Sequence, residues 1–233
     1  MYHSITFGDK NTWDDWHLIP STRPLVAPPP VKTKFVEIPG MDGSYDLTTW
    51  LTGRPVYQNR SGSIEFVVVN DYLPWAVAYS NIMNYLHGQH MNMVLEDDPE
   101  YYYKGRFSVN SWKSDKWYST ITIGYTLNPW KYRSESTMEP WKWDPFNFYT
   151  GVIQNFQAHP VSGSATVVLY GYPMPATAKF TCSSPMVLTF RGKTYNLSAG
   201  ENVFEDLIIA DGPNTLSFSG NGTVGIDYTG GSL

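Results

Sequence analysis

His87 and His90 stand three apart, and Glu96, Asp97 and Asp98 follow closely, so this stretch holds the donor types of a metal site. Zinc peptidases place two histidines at i and i+4 on one helix face with a glutamate as base. Here His87 ends a predicted helix and His90 lies beyond Gly88, which makes the pair structural, with His87 near the last helix carbonyls and the negative dipole end. Gly220-Asn221-Gly222-Thr223-Val224-Gly225 has the letters of a dinucleotide-binding loop. That loop needs a helix after it and an acidic residue ~20 positions on, whereas Ile226 to Leu233 follow. Between strand-like Thr215–Ser219 and Val224–Tyr228, Asn221-Gly222 is expected to be a hairpin turn. Cys182 has no histidine near it in sequence and reads as a small buried apolar residue. There is neither a G-x-S-x-G elbow nor a G-x-x-x-x-G-K-[ST] phosphate loop. A glycosidase needs two carboxylates on one cleft. Asp14, Asp15, Glu96, Asp97, Asp98 and Glu100 qualify by type, but charge clusters beside a proline are usually solvated turns. The expectation is a protein that is not an enzyme and holds no cofactor and no metal.

Composition points toward contact surfaces. Charged residues make up 16% of the chain, against roughly 25% in an average soluble protein. The chain carries 9 Trp, 17 Tyr and 11 Phe, side chains that concentrate in cores, interfaces and sugar-binding platforms. Trp112, Trp117, Trp130, Trp141 and Trp143 crowd the end of the first half, where they would pack between domains or subunits, or else stack on sugar rings. A net charge of −5 provides no basic field for a phosphate backbone. The polar, acidic N-terminus does not resemble an export signal, and no apolar run approaches the ~20 residues that span a bilayer. The lone cysteine excludes an intrachain disulfide. Matches to N-x-S/T at Asn59, Asn196 and Asn221 are then read as chance.

The elements that must position these residues are mainly strands. Ser4–Phe7, Lys32–Ile38, Ser63–Val69, Met91–Leu95, Tyr101–Val109 and Trp117–Leu127 have strand patterns, and Pro28-Pro29-Pro30 forms an extended arm. One helix is predicted from about Pro74 to His87, with Asn70 and Asp71 as upstream caps and Gly88 as its left-handed exit. Its apolar stripe is Trp75, Ala78, Tyr79, Ile82 and Leu86. Periodicity fades between Ser134 and Phe148, which sets a boundary near residue 139 and gives domains 1–139 and 140–233. Beyond it Ala165–Tyr170, Met186–Phe190, Thr194–Leu197 and Leu207–Ile209 join the two strands already named in a β-sandwich pattern. The fold class is mainly β, with an α+β first half.

Several of these segments, taken in order, resemble the distal tail protein (Dit) family of long-tailed phages that infect Gram-positive bacteria. They are Ile38-Pro39-Gly40-Met41-Asp42-Gly43-Ser44, Tyr57-Gln58-Asn59-Arg60, Leu86-His87-Gly88, the run from Glu96 to Arg106, Asn128-Pro129-Trp130-Lys131-Tyr132 and the ending from Tyr195 to Leu233. The resemblance implies a tail-tube-like sheet domain with one helix that forms a hexameric ring, followed by a galectin-like β-sandwich. It implies a virion protein at the distal tail tip, assembled in the host cytoplasm. Its implied partners are the tail tube protein, a tail-associated protein and a receptor-binding protein, with DNA passing through the ring unbound and no membrane contact. A carbohydrate-binding module for a bacterial surface glycan is the alternative function. Because such a ring should repel DNA, some of Glu96, Asp97, Asp98 and Glu100 are expected at the channel or its rim, the alternative being a solvated outer hairpin.

Overall fold

A computed structural model describes residues 2–69, 74–114, 119–134, 137–138 and 156–233. The chain divides into two compact units, Met1–Lys131 with Leu233, and Tyr132–Ser232. The boundary expected near residue 139 and most of the aperiodic stretch around it lie outside the described residues.

In the first unit the strands are β1 (Ile5–Phe7), β2 (Lys10–Asn11), β3 (Leu18–Pro20), β4 (Phe35–Val36), β5 (Tyr45–Asp46), β6 (Arg60–Val68), β7 (His90–Leu95), β8 (Tyr101–Ser114) and β9 (Ser119–Leu127), with helix α1 at Trp75–Leu86 between β6 and β7. The main sheet runs β2-β1-β7-β8-β9-β6-β3, with neighbouring strands antiparallel. Alternation puts Ile64 and Phe66 of β6, Phe107 and Val109 of β8, and Ile121 and Ile123 of β9 into one core. The stripe on α1 falls as its spacing predicts: Ala78, Ile82 and Leu86 are buried. Trp75 and Tyr79 pack on Trp112 of β8, with ring centroids 3.8 and 4.0 Å apart. The helix start differs from expectation, since Pro74 is the N-cap with ψ 135 rather than the first helical residue. The caps proposed at Asn70 and Asp71 lie outside the described residues. At the far end Gly88 has φ +76, the left-handed exit.

The strand expected over Lys32–Ile38 contracts to β4, which among the described residues pairs with β5 alone; Val31 bridges to Tyr57 nearby. The chain just before β4 pairs elsewhere, with Lys32 N donating to Val56 O and Gln58 N to Pro30 O, both at 2.8 Å.

The second unit contains β11 (His159–Gly171), β12 (Ala176–Cys182), β13 (Met186–Phe190), β14 (Lys193–Leu197), β15 (Gly200–Ile209) and β16 (Gly212–Asp227), with short β10 (Lys131–Arg133) and β17 (Gly231–Ser232) pairing each other. Here the expected hairpin at Asn221-Gly222 is overturned. β16 is one strand through that point, and β11 pairs with it without a break from His159↔Val224 to Gly171↔Gly212. On its other edge β16 pairs first with β13 (Met186↔Gly220) and then, in the same register, with β12 (Cys182↔Val224). Ser183, Ser184 and Pro185 interrupt that edge beside Gly220 and Gly222, whose φ values are +144 and +142. Gly163, with φ +71, faces Gly220 across β11. The sheet therefore bends along a line of glycines and closes on itself as a sandwich. Phe180 and Phe218 show the closure: Phe180 lies opposite Ile226, so on a straight strand Phe218 would be about 26 Å away. Their ring centroids are 6.2 Å apart, within one buried core.

Candidate functional site

The four acids singled out from sequence share the connection between β7 and β8. Asp98 N donates to Leu95 O at 3.0 Å and Tyr101 N to Asp98 O at 3.2 Å, which closes the turn. Glu96 accepts the Ser4 amide at 2.6 Å and the Ser4 hydroxyl at 3.1 Å on one carboxylate oxygen. Asp97 lies 2.9 and 3.0 Å from His3 Nδ1, and Arg23 Nε donates to its Oδ2 at 2.8 Å. The His3 hydrogen bond, aided by Arg23 and opposed by desolvation, holds the Asp97 carboxyl below the usual carboxylate range. Lys131 Nζ sits 2.7 Å from Asp98 Oδ2 and 4.4 Å from the centre of the Tyr101 ring. Glu100 has no ion-pair partner among the described residues.

This turn is a fastening point. It ties the chain start, the base of the arm and the end of the first unit to one strand connection. A carboxyl held ionised by its neighbours, as Asp97 is, is a poor general acid. Sequence reading found the acids and missed their partners. His3, Arg23 and Lys131 are 94, 74 and 33 residues from them, and no local pattern marks such pairs.

The other candidates resolve individually. His87 is the C-cap of α1, its amide donates to Met83 O at 3.0 Å, and its Nδ1 accepts the Val109 amide at 3.1 Å. His90 opens β7 in register with Arg106. Among the described residues no group of three His, Cys, Asp or Glu could hold a metal ion. Cys182 is buried in the sandwich core, and desolvation raises its thiol pKa, the opposite of nucleophile activation. Trp112 is engaged by α1, and Trp130 meets Tyr57 edge to face at 5.4 Å. Trp117, Trp141 and Trp143 lie outside the described residues. Asn221 Oδ1 accepts the Gly163 amide at 2.9 Å at the sheet bend.

The segment from Phe35 to Leu51, which continues the proline arm, carries many exposed apolar side chains. Phe35, Ile38, Met41, Tyr45 and Leu47 are all solvent-exposed, and Trp50 and Leu51 reach 80% and 94% exposure.

The first unit is thus a helix-bearing antiparallel sheet with an exposed apolar segment, and the second is a β-sandwich. The fold is that of the phage Dit proteins. The chain is similar in structure to SPP1 Dit (gp 19.1), itself a paradigm of the hub adsorption apparatus in Gram-positive-infecting phages, with a TM-score of 0.68 over 99% of both chains at 12% sequence identity. No protein-family model and no curated protein sequence matches the chain.

Proposed function

We propose that this protein is a non-catalytic structural component of a phage tail, a hexameric ring at the distal tip that joins the tail tube to the tail-associated and receptor-binding proteins. The observation that carries this reading is the end-to-end correspondence with a hub protein, which leaves neither chain with a domain the other lacks. Two further features support it. The arm exposes apolar side chains that a neighbouring subunit would cover. The chain is acidic, and six copies at −5 sum to about −30, which suits a conduit for DNA that must not adhere.

Within the ring the β7–β8 turn faces the channel or its rim. Because Asp97 and Asp98 are paired with cations, the repulsive charge there comes from Glu96 and Glu100. Negative-stain imaging of the purified full chain tests the ring itself. Six-fold annular particles with a central opening are expected, and single compact particles at every concentration would contradict the reading.

A further inference from the structure

We propose that the cleft between α1 and the turn after β2 in the first unit is a binding site for a neutral saccharide, held by the carboxamides of Asn81 and Asn84 beside the Trp16 indole. The site lies wholly within this unit and does not depend on the tail reading.

Lys10, Asp15, Trp16, Asn81, Asn84 and Tyr85 line a cavity of about 500 Å³, within the ~300–1,000 Å³ usual for ligand sites. Most of its wall is fixed before anything enters. Lys10 Nζ sits 2.8 Å from Asp15 Oδ1, and the Asn11 amide donates to Asp15 Oδ2 at 2.8 Å. Tyr85 Oη donates to Phe7 O at 2.8 Å and accepts the Asp9 amide at 3.1 Å. Trp16 rests on Phe7 and Tyr85, with ring centroids 6.4 and 5.5 Å away. The two asparagines and the indole N–H are left over: among the described residues none of these three side chains makes a hydrogen bond. Asn81 and Asn84 are exposed, so a ligand reaches them directly from solvent.

The composition of α1 points the same way. Trp75–Leu86 contains no Asp, Glu, Lys or Arg, although a surface helix ordinarily turns charged residues outward. Asparagine is a poor helix former because its side chain competes for backbone groups. Yet two asparagines stand three apart on the exposed face, and both border the cavity with their amides unused. A carboxamide carries a donor and an acceptor on one plane, and a sugar hydroxyl is likewise both donor and acceptor. The indole supplies a flat apolar surface for the C–H face of a pyranose, with its N–H at the rim for a further hydroxyl. Among the described residues the charges lining the cavity are Lys10 and Asp15 alone, and they pair with each other, so no surplus charge selects an ion. Neutral polar groups around an aromatic ring select a neutral polyhydroxylated ligand.

The test is saturation-transfer NMR of the full chain with cellotriose, maltotriose and triacetylchitotriose, each titrated alone. At least one should bind saturably with a Kd on the order of 1 mM. The double variant Asn81→Ala, Asn84→Ala should weaken that binding about tenfold or more. It should keep a melting temperature no lower than the wild type's, since alanine is the best helix former. No saturable transfer from any of the three sugars, or undiminished binding by the double variant, would overturn the proposal. Equal affinity for triglycine would overturn it in favour of a peptide site. A change in the mass of the double variant in solution would overturn it by assigning this face of α1 to a contact between subunits.

Discussion

The five residues from Glu96 to Glu100 show how neighbours decide what a carboxylate does. Asp97 is held ionised by His3 and Arg23, so its folded pKa lies below the ordinary value. Its contribution to stability is therefore fully present above the unfolded pKa of about 3.9 and is lost as pH falls through the lower folded value. Thermal melts should show it: the wild type loses melting temperature on acidification below about pH 4, whereas Asp97→Asn starts lower at neutral pH and loses less. Parallel pH profiles for the two proteins would count against the pairing. Charge reversal separates the paired acids from the unpaired one. Asp98→Lys should place a second ammonium beside Lys131 and lower stability, whereas Glu100→Lys should leave the melting temperature within about 1 °C, as surface changes usually do. In phage carrying Glu100→Lys rings, genome ejection should slow, and more so at low salt. Normal ejection would place Glu100 away from the channel. Only part of this site was legible in the sequence. The acidic run and its adjacent proline announce a turn, but the cations that neutralise it come from distant parts of the chain with no shared periodicity.

Elements with their own period were the most legible. The stripe on α1 follows from spacing alone, and the strand Met186–Phe190 has the bounds its alternation suggested, because a buried face repeats every second residue. The failure at Asn221-Gly222 has a physical cause. Asn-Gly between strand-like runs is the strongest short-range hairpin signal, yet glycines also let a long strand bend where two halves of a sheet fold together. Local sequence does not separate these cases; the uninterrupted partner strand β11 does. The true hairpin lies elsewhere, at Arg191-Gly192 between Phe190 and Lys193, with both φ values positive and an arginine where asparagine is usual. Gly220→Ala should expose the difference. A Cβ there would sit 2.8 Å from Met186 Cβ on a backbone with φ +144, so a cost of about 1–3 kcal/mol is expected from strain alone. Phe180→Ala should cost about 3–5 kcal/mol by leaving a cavity where the folded halves meet. Urea unfolding measures both, and neutral effects would mean that the halves do not close on one core.

At the scale of the whole molecule, composition carried more information than any motif. Few charges and many aromatics pointed to a protein that hides surface against others, and the arm is where exposed apolar side chains gather. The proposed assembly gives the arm a role that the fold of a single chain does not need. Replacing Trp50 and Leu51 with Ser should leave the melting temperature of the isolated chain nearly unchanged, since both side chains are already in solvent, while it prevents subunit association. Light scattering after size exclusion at micromolar concentration measures whether the chain closes into a ring. Six chains of 26.4 kDa closing a ring give about 158 kDa, or a whole multiple of that mass if rings pair. That mass is expected for the wild type, and about 26 kDa for the Trp50, Leu51 variant. A wild-type protein that elutes as a single 26.4-kDa chain at every concentration would contradict it.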